Sequence, residues 1–463
     1  MPRIVIVGGG ISGLALAYRL EQALPTADVT VLERDTRLGG KVLTERHDRF
    51  TVEAGPNGFL DTKPTTLQLC RDLGLAAQLI PASEAASRNR FLFHRGKLRL
   101  LPAGLIAFLR SDLLSWHGKL SVLAERFRRP RLASTDESVE EFARRRAGRE
   151  VAEVLVDAFV TGIHAGDPTM LSVRAAFPRL AQLEAEYGSV LKGIIASARM
   201  RRREWEANGP ASERSSRLWS FREGMGRLIE SLRAKLRGPA ILGIDVKRLV
   251  RTGDCWAVHG EGRDSWAADA VILACPAYQQ AAILGDLDAE LAQLVGGIPY
   301  NRVAVVALGY RRSDVPVSLD GFGYLTPRGS RTDVLGVQWC SSAYPARAPD
   351  GMVLLRAICG GWQRPQVVGL DDARLVQIVA TELRMSLKIN APPVFHRIIR
   401  WDRAIPQYLV GHLDRVAAVE KRVAGFPNLI LAGNAYHGVS LNDCTEQAVL
   451  LTNRLAAAFG PAR

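Results

Sequence analysis

The stretch IVIVGGGISGLALAYRLEQ, residues 4–22, decides how this chain is read. Ile4-Val5-Ile6-Val7 is a β-branched run of the kind that forms a strand buried on both faces. It runs into Gly8, Gly10 and Gly13 at G-x-G-x-x-G spacing, with Gly9, Ile11 and Ser12 between them, and then into an amphipathic segment over 14–20. The first glycine allows a tight turn, the second lets a pyrophosphate touch bare backbone, and the third lets helix and strand pack closely. The helix N-terminus offers unpaired N–H groups and a partial positive charge to that pyrophosphate. A second strand over 28–32 ends in Glu33, 20 residues past Gly13. A carboxylate there accepts both ribose hydroxyls and repels a 2′-phosphate, so the spacing predicts NAD or FAD rather than NADP.

The rest of the chain bounds the reading. Its 463 residues exceed one usual core, and 47% hydrophobic with 23% charged residues is the composition of a globular protein, neither fibrous nor disordered. No apolar run approaches the roughly 18 residues a spanning helix needs. Because MPRIVIV is already strand-like, no signal peptide is expected, which leaves a cytoplasmic protein or one peripheral on the cytoplasmic face of a membrane. The six cysteines show no CxxC pair, so they read as free thiols in a reducing compartment, with no metal site. The net charge of +14 favours anionic partners. Its arginine runs, 126–131, 144–146 and 199–203, read as solvated helix faces, and no motif supports nucleic-acid binding.

The next tract separates the two dinucleotides. Arg34-Asp35-Thr36-Arg37-Leu38-Gly39-Gly40-Lys41 resembles the R-x-G-G segment of the amine-oxidase superfamily of flavoproteins, in which the glycine doublet brings further N–H groups to the pyrophosphate. Gly55-Pro56-Asn57-Gly58 is a loop by composition, and in that superfamily such a loop passes under the isoalloxazine.

Further along, strands are expected over 240–249, 256–259, 270–275 and 429–434, with a helix through 445–450, an exposed loop at 208–212 and an interfacial or lid-like stretch at 100–109. The fold expected is α/β: a Rossmann-like FAD-binding domain assembled from 1–80, 220–287 and 399–463. An α+β substrate domain takes 81–109 and 288–398, and a mostly helical, membrane-contacting domain takes 110–219.

Several longer stretches point further. EAGPNGFLD (53–61), NRFLFHRGKLRLLP (89–102), VTGIHAGDPTMLSVRAAFP (160–178), SFREGMGRL (220–228), GFGYLTP (321–327), WDRAIPQYLVGHL (401–413) and GNAYHGVSLNDC (433–444) occur in this order. In them the chain resembles the oxygen-dependent protoporphyrinogen oxidases and the related coproporphyrinogen oxidases of the same fold. His164 stands where that family suggests an aromatic ring, and Ser440-Leu441 also departs from its pattern.

The resemblance implies FAD-dependent oxidation of protoporphyrinogen IX in haem synthesis, or of coproporphyrinogen III, with O2 as acceptor and H2O2 as product. Gly8 to Gly13, Glu33 and Arg34 would hold the ADP half. Gly40, Lys41 and Gly55 to Gly58 would follow the pyrophosphate and ring, and Val246 the adenine side. Trp401, Asn434, Val439, Ser440 and Leu441 would close the flavin site. Arg90 would anchor a propionate, with Gly162, Phe322, Gly323, Leu325 and Ile358 lining the macrocycle pocket. A homodimer, or contact with neighbouring haem-pathway enzymes, is a further expectation.

The chemistry agrees with what is missing. A porphyrinogen needs a hydride acceptor, a dry pocket and anchored acids, but no strong base; no Ser-His-Asp, HExxH or cysteine-nucleophile pattern is present. Arg90 offers a fork for a carboxylate, about 1.5–3 kcal/mol as a charge-assisted pair, or is one more surface arginine like Arg88, Arg95 and Arg99. Asn57 either meets the flavin or holds its own turn. Phe322 and Leu325 are pocket or plain core. His94, His164, His412 and His437 read as core-satisfied or solvated. Two other readings stay open: an amine oxidase or desaturase of the same superfamily, for which Tyr436 would supply half an aromatic cage, and a flavin-bound scaffold without turnover.

Overall fold

The computed structural model describes residues 1–131, 135–208 and 217–460. Strand β1 (Arg3–Val7), helix α1 (Ile11–Ala23) and strand β2 (Asp28–Glu33) form the expected βαβ entry. A five-stranded parallel sheet grows around them in the order Ala240–Leu242, β2, β1, Ala270–Leu273, Leu429–Leu431. Because side chains alternate along a strand, Ile4 and Ile6 pack under α1 and the helix Leu441–Phe459, while Val5 and Val7 face the opposite cluster with Trp256 and Val258. Each such burial contributes roughly 1.5–3 kcal/mol, so the sheet has no solvent face on which to slip register.

A seven-stranded mixed sheet lies beside it, in the order Phe395–Trp401, Val303–Arg311, Met352–Gly360, Val334–Trp339, Gly323–Leu325, Phe91–His94, Lys97–Leu100. One face is closed by the helix Asp372–Leu387, with Ala304, Val306 and Leu308 against Leu375, Val379 and Leu383. On the other face Ile358, Ile399 and Trp401 remain only partly buried. Helices dominate from Leu105–Arg110 to Val190–Asn208, with a π-type turn at Ala152–Val156 leading into Asp157–His164. No described helix is long and apolar enough to cross a membrane.

Several local expectations change. The run 240–249 is not one strand: Gly243 turns at φ +74° and donates its N–H to Asp35, so Ala240–Leu242 stays in the parallel sheet while Arg248–Thr252 joins an antiparallel ribbon. The mixed sheet runs to residue 401, past the expected boundary at 398, and the strand Leu218–Phe221 straddles the one at 219. The arginine run 144–146 is not a solvated face. Arg146 is buried on Glu125, and Arg145 bonds Glu137 and Glu184 at 2.6 Å each. The loop expected at 208–212 lies, from 209 onward, outside the described residues.

Candidate functional site

At the C-terminal edge of the parallel sheet Gly8 and Gly13 of the first turn each have a steric reason. Gly8 sits at φ +113°, and a Cβ there would stand 2.7 Å from the Cys275 nitrogen. A Cβ on Gly13 would stand 2.0 Å from the Gly8 carbonyl oxygen, whereas one on Gly10 would meet none of the described residues within 4 Å. Gly10 caps α1 with no side-chain acceptor, so the N–H groups of Ile11, Ser12 and Gly13 face the open side of the turn. Glu33 stands where β2 ends and is aimed by backbone donors, accepting from Gly9 at 2.6 Å and Asp35 at 2.8 Å. Arg34 leans on Asp35 at 3.7 Å. Gly40, at φ +54°, brings its backbone against Gly10. Ile244, bonded to the Glu33 carbonyl at 2.9 Å, leads the chain to buried Val246.

The second half of the cradle is the 54–58 loop. Gly55 crosses Lys41 so closely that a Cβ would lie 2.0 Å from the Lys41 carbonyl, and a Cβ on Gly58 would lie 2.5 Å from that of Trp219. Trp401 donates its indole N–H to Ala54 at 2.9 Å, and Arg356 donates to Gly55 at 2.7 Å. Next to Pro56, Asn57 is 6% exposed, and neither atom of its amide has a partner among the described residues. It therefore does not hold its own turn through the side chain. Lys41 lies 5.7 Å over the Trp401 ring, and burial lowers its ammonium to about 8 against the opposing pull of Asp35. Uncapped N–H groups, a bare glycine, an orphaned amide and a half-hidden cation fit an anionic dinucleotide carrying a hydrogen-bonding ring.

Near the C-terminus the Tyr408 hydroxyl donates to the Asn434 carbonyl at 2.6 Å and accepts from Gly438 N–H at 2.9 Å, fixing the turn that leads to Val439. Ser440 and Asp443 form the capping box of the helix that begins at Leu441.

The residues expected to line a macrocycle pocket gather on the partly buried face of the mixed sheet. Leu325, Gly336, Ile358, Val305 and Ile399 are successive cross-strand partners in one row. Exposed Gly162 sits over Leu325, 2.7 Å from where its Cβ would be, and Gly323 turns at φ +135° against Val337. Arg90 is exposed and its guanidinium lies 5.7 Å over the Phe322 ring, just before the strand Phe91–His94.

The histidines stay in the background. Burial lowers His164 and His412 to about 4; His164 packs on Phe177, and His412 stacks on Tyr408 at 4.1 Å. His94 bonds Ser330, and exposed His437 lies 3.1 Å from Glu420. Tyr436 is no cage wall: it is buried, and its hydroxyl donates to Gln280 at 2.6 Å. Sequence reasoning missed Tyr408, Gln280 and the charges under the loop, namely Glu53, Arg347 and Arg356. For Arg356 the signal was there, a lone charge inside the apolar run Met352–Gly360.

The sequence profile described as "Flavin containing amine oxidoreductase" matches residues 11–455. Among characterised relatives, Coproporphyrinogen III oxidase of Bacillus subtilis (strain 168) is 30% identical over 455 residues, covering 96% of each chain. Protoporphyrinogen oxidase 1, chloroplastic, of Arabidopsis thaliana is 33% identical over 469 residues, covering 96% of this chain and 86% of its own. A solved structure from Exiguobacterium sp. 255-15, provisionally assigned as a protoporphyrinogen oxidase, superimposes with a TM-score of 0.83 at 27% identity over 99% of both chains.

Proposed function

The chain belongs to the family of flavin-containing amine oxidoreductases, and we propose that within it this FAD-dependent enzyme oxidises protoporphyrinogen IX to protoporphyrin IX with O2 as acceptor. The observation that carries this reading is the end-to-end similarity, over 96% of the chain, to relatives named for porphyrinogen oxidation. It includes the stretches around Arg90, Gly162 and Leu325 that lie outside the nucleotide turn. FAD, when bound, would supply the hydride acceptor and the route for electrons to O2, with H2O2 as product.

The chain's own residues do the rest. Glu33 accepts the ribose hydroxyls, and the start of α1 with Lys41 meets the pyrophosphate. The row from Leu325 to Ile399 offers a dry wall to the macrocycle, and Arg90 pairs with a carboxylate at the edge. No group near the site has to act as a strong base. Segments 1–80, 220–287 and 402–463 serve as the nucleotide unit and the mixed sheet as the substrate unit.

Coproporphyrinogen III is the second reading, favoured by the Bacillus subtilis relative, which covers 96% of both chains. Anaerobic mixing with each porphyrinogen separates the two: the true substrate bleaches the flavin absorbance at once, and bleaching by neither ends the reading.

For location we propose peripheral membrane contact through the helical segment. There Leu105, Ile106, Trp116, Leu120 and Phe127 are exposed, and Arg126 stacks 4.5 Å from the Phe127 ring. Flotation with anionic vesicles tests this, and protein that stays wholly with the unbound fraction ends it.

A further inference from the structure

Arg356 is the least expected charge in the molecule. It stands in the middle of the strand Met352–Gly360, between the Gln338 and Ala307 positions of its neighbours, and is 5% exposed. One guanidinium nitrogen donates to the Gly55 carbonyl at 2.7 Å and another to the Gln338 amide oxygen at 2.8 Å; its Nε has no partner among the described residues. Both acceptors are neutral. Among the described residues the carboxylate that acts on Arg356, beside the Cys340 thiol, is Glu53, and Glu53 makes its ion pair with Arg347 at 3.2 Å. Arg347 is itself fully buried and further held by the Ser220 hydroxyl at 2.8 Å. One carboxylate therefore faces two guanidiniums, and burial pushes that carboxyl upward, toward the neutral acid. The patch beneath the 54–58 loop is net positive.

Burying a charge without its counter-ion costs several kcal/mol, and neutral hydrogen bonds return only part of it. Hydrophobic residues fill every neighbouring position of this strand, so packing alone did not require an arginine. The cost is offset when negative charge appears close by.

We propose that Arg356 is a positioning residue of the flavin site: a guanidinium with no carboxylate hydrogen-bonded to it among the described residues, which holds the Gly55–Asn57 loop in place and favours electron uptake by the flavin this loop borders. The proposal rests on the reading that the loop borders the ring. Two-electron reduction of a flavin near neutral pH takes up two electrons and one proton and so adds one negative charge. A fixed positive charge in a low-dielectric setting stabilises that form relative to the oxidised one.

Gln338→Glu tests this without changing side-chain volume. It places a carboxylate on the guanidinium and cancels the buried charge while the arginine stays. The midpoint potential of the bound flavin is measured by dye equilibration in the FAD-loaded protein, beside Arg356→Gln and Arg356→Lys. The expected result is a more negative midpoint for Gln338→Glu and Arg356→Gln. The reduced-to-oxidised ratio at fixed potential should fall about tenfold, close to 30 mV for a two-electron couple, with a smaller change for Arg356→Lys. Binding of sulfite, which adds negative charge to oxidised flavin, should weaken in the same order. If Gln338→Glu holds FAD in full with an unchanged or raised midpoint, the role of Arg356 is overturned and the flavin reading survives. If the parent protein takes up no FAD, it is the flavin reading that falls. Should Arg356→Gln not accumulate as folded protein, Gln338→Glu decides alone.

Discussion

Gly162 and Leu325 are held so close that a methyl group on the first would stand 2.7 Å from Cδ1 of the second. The obstacle is the end of a flexible side chain, so Gly162→Ala folds and displaces Leu325 into the space beside the mixed sheet. If that space receives the macrocycle, kcat/KM for the porphyrinogen should fall about tenfold, close to 1.4 kcal/mol, and mainly through KM. Leu325→Ala added to Gly162→Ala should restore much of the loss. A double-mutant cycle that gives simple additivity would place the two residues outside a shared wall.

Gly13→Ala should behave differently, because the atom a Cβ would strike is the Gly8 carbonyl oxygen at 2.0 Å, which is backbone. Alanine gains roughly 1 kcal/mol of helix propensity over glycine, but the clash forces α1 away from β1 and opens the turn. The dissociation constant of Gly13→Ala protein for FAD should rise about tenfold or more, a loss of about 1.4 kcal/mol or more of binding. An unchanged dissociation constant would show that the turn is not part of the binding site.

Asn57 provides a test in which the free and loaded proteins move in opposite directions. Its amide is buried without a partner among the described residues. Replacing it with leucine removes an unsatisfied group that costs about 1–3 kcal/mol. FAD-free Asn57→Leu should therefore melt at or above the parent's temperature, while its dissociation constant for FAD rises about tenfold or more. A parallel loss of stability in both forms would assign Asn57 to the loop alone.

If Lys41 meets the pyrophosphate as proposed, it links flavin binding to pH. Burial lowers its ammonium to about 8 from its ordinary value of 10.5. Between those two values the unfolded chain binds more protons than the folded one, so this group's penalty on the FAD-free fold is full below pH 8 and fades as pH rises toward 10.5. A bound pyrophosphate pulls the proton back, so binding above pH 8 takes up a proton. The FAD dissociation constant should rise with pH there, at up to about tenfold per unit, the limit for one linked proton. Lys41→Met should bind FAD more weakly at pH 7 and lose this slope. Titrations at several pH values check both, and a slope that persists in the variant assigns the proton elsewhere.

Much of the candidate nucleotide cradle was legible because its constraints are local. The strand, the three glycines, the helix start and Glu33 fall within 31 residues, and each obeys a rule of backbone conformation or hydrogen bonding that acts over a few residues. Local rules misled where one pattern has two outcomes. AILGIDVKRL over 240–249 reads as a single strand, yet Gly243 turns because its N–H finds the Asp35 carbonyl. Three adjacent arginines at 144–146 look solvated, yet Arg146 is drawn inside by Glu125, 21 positions away.

By itself the sequence determined the βαβ entry, the dinucleotide it serves and the family to which the chain belongs. Only the tertiary structure decided what stands beneath the 54–58 loop. Arg356 reaches Gly55 across 301 positions and Trp401 reaches Ala54 across 347. Likewise, Gly162 meets Leu325 only once helix and sheet have docked. Such contacts form when distant segments bury their apolar faces against one another, and the register of that packing, rather than any local preference, selects which polar groups meet.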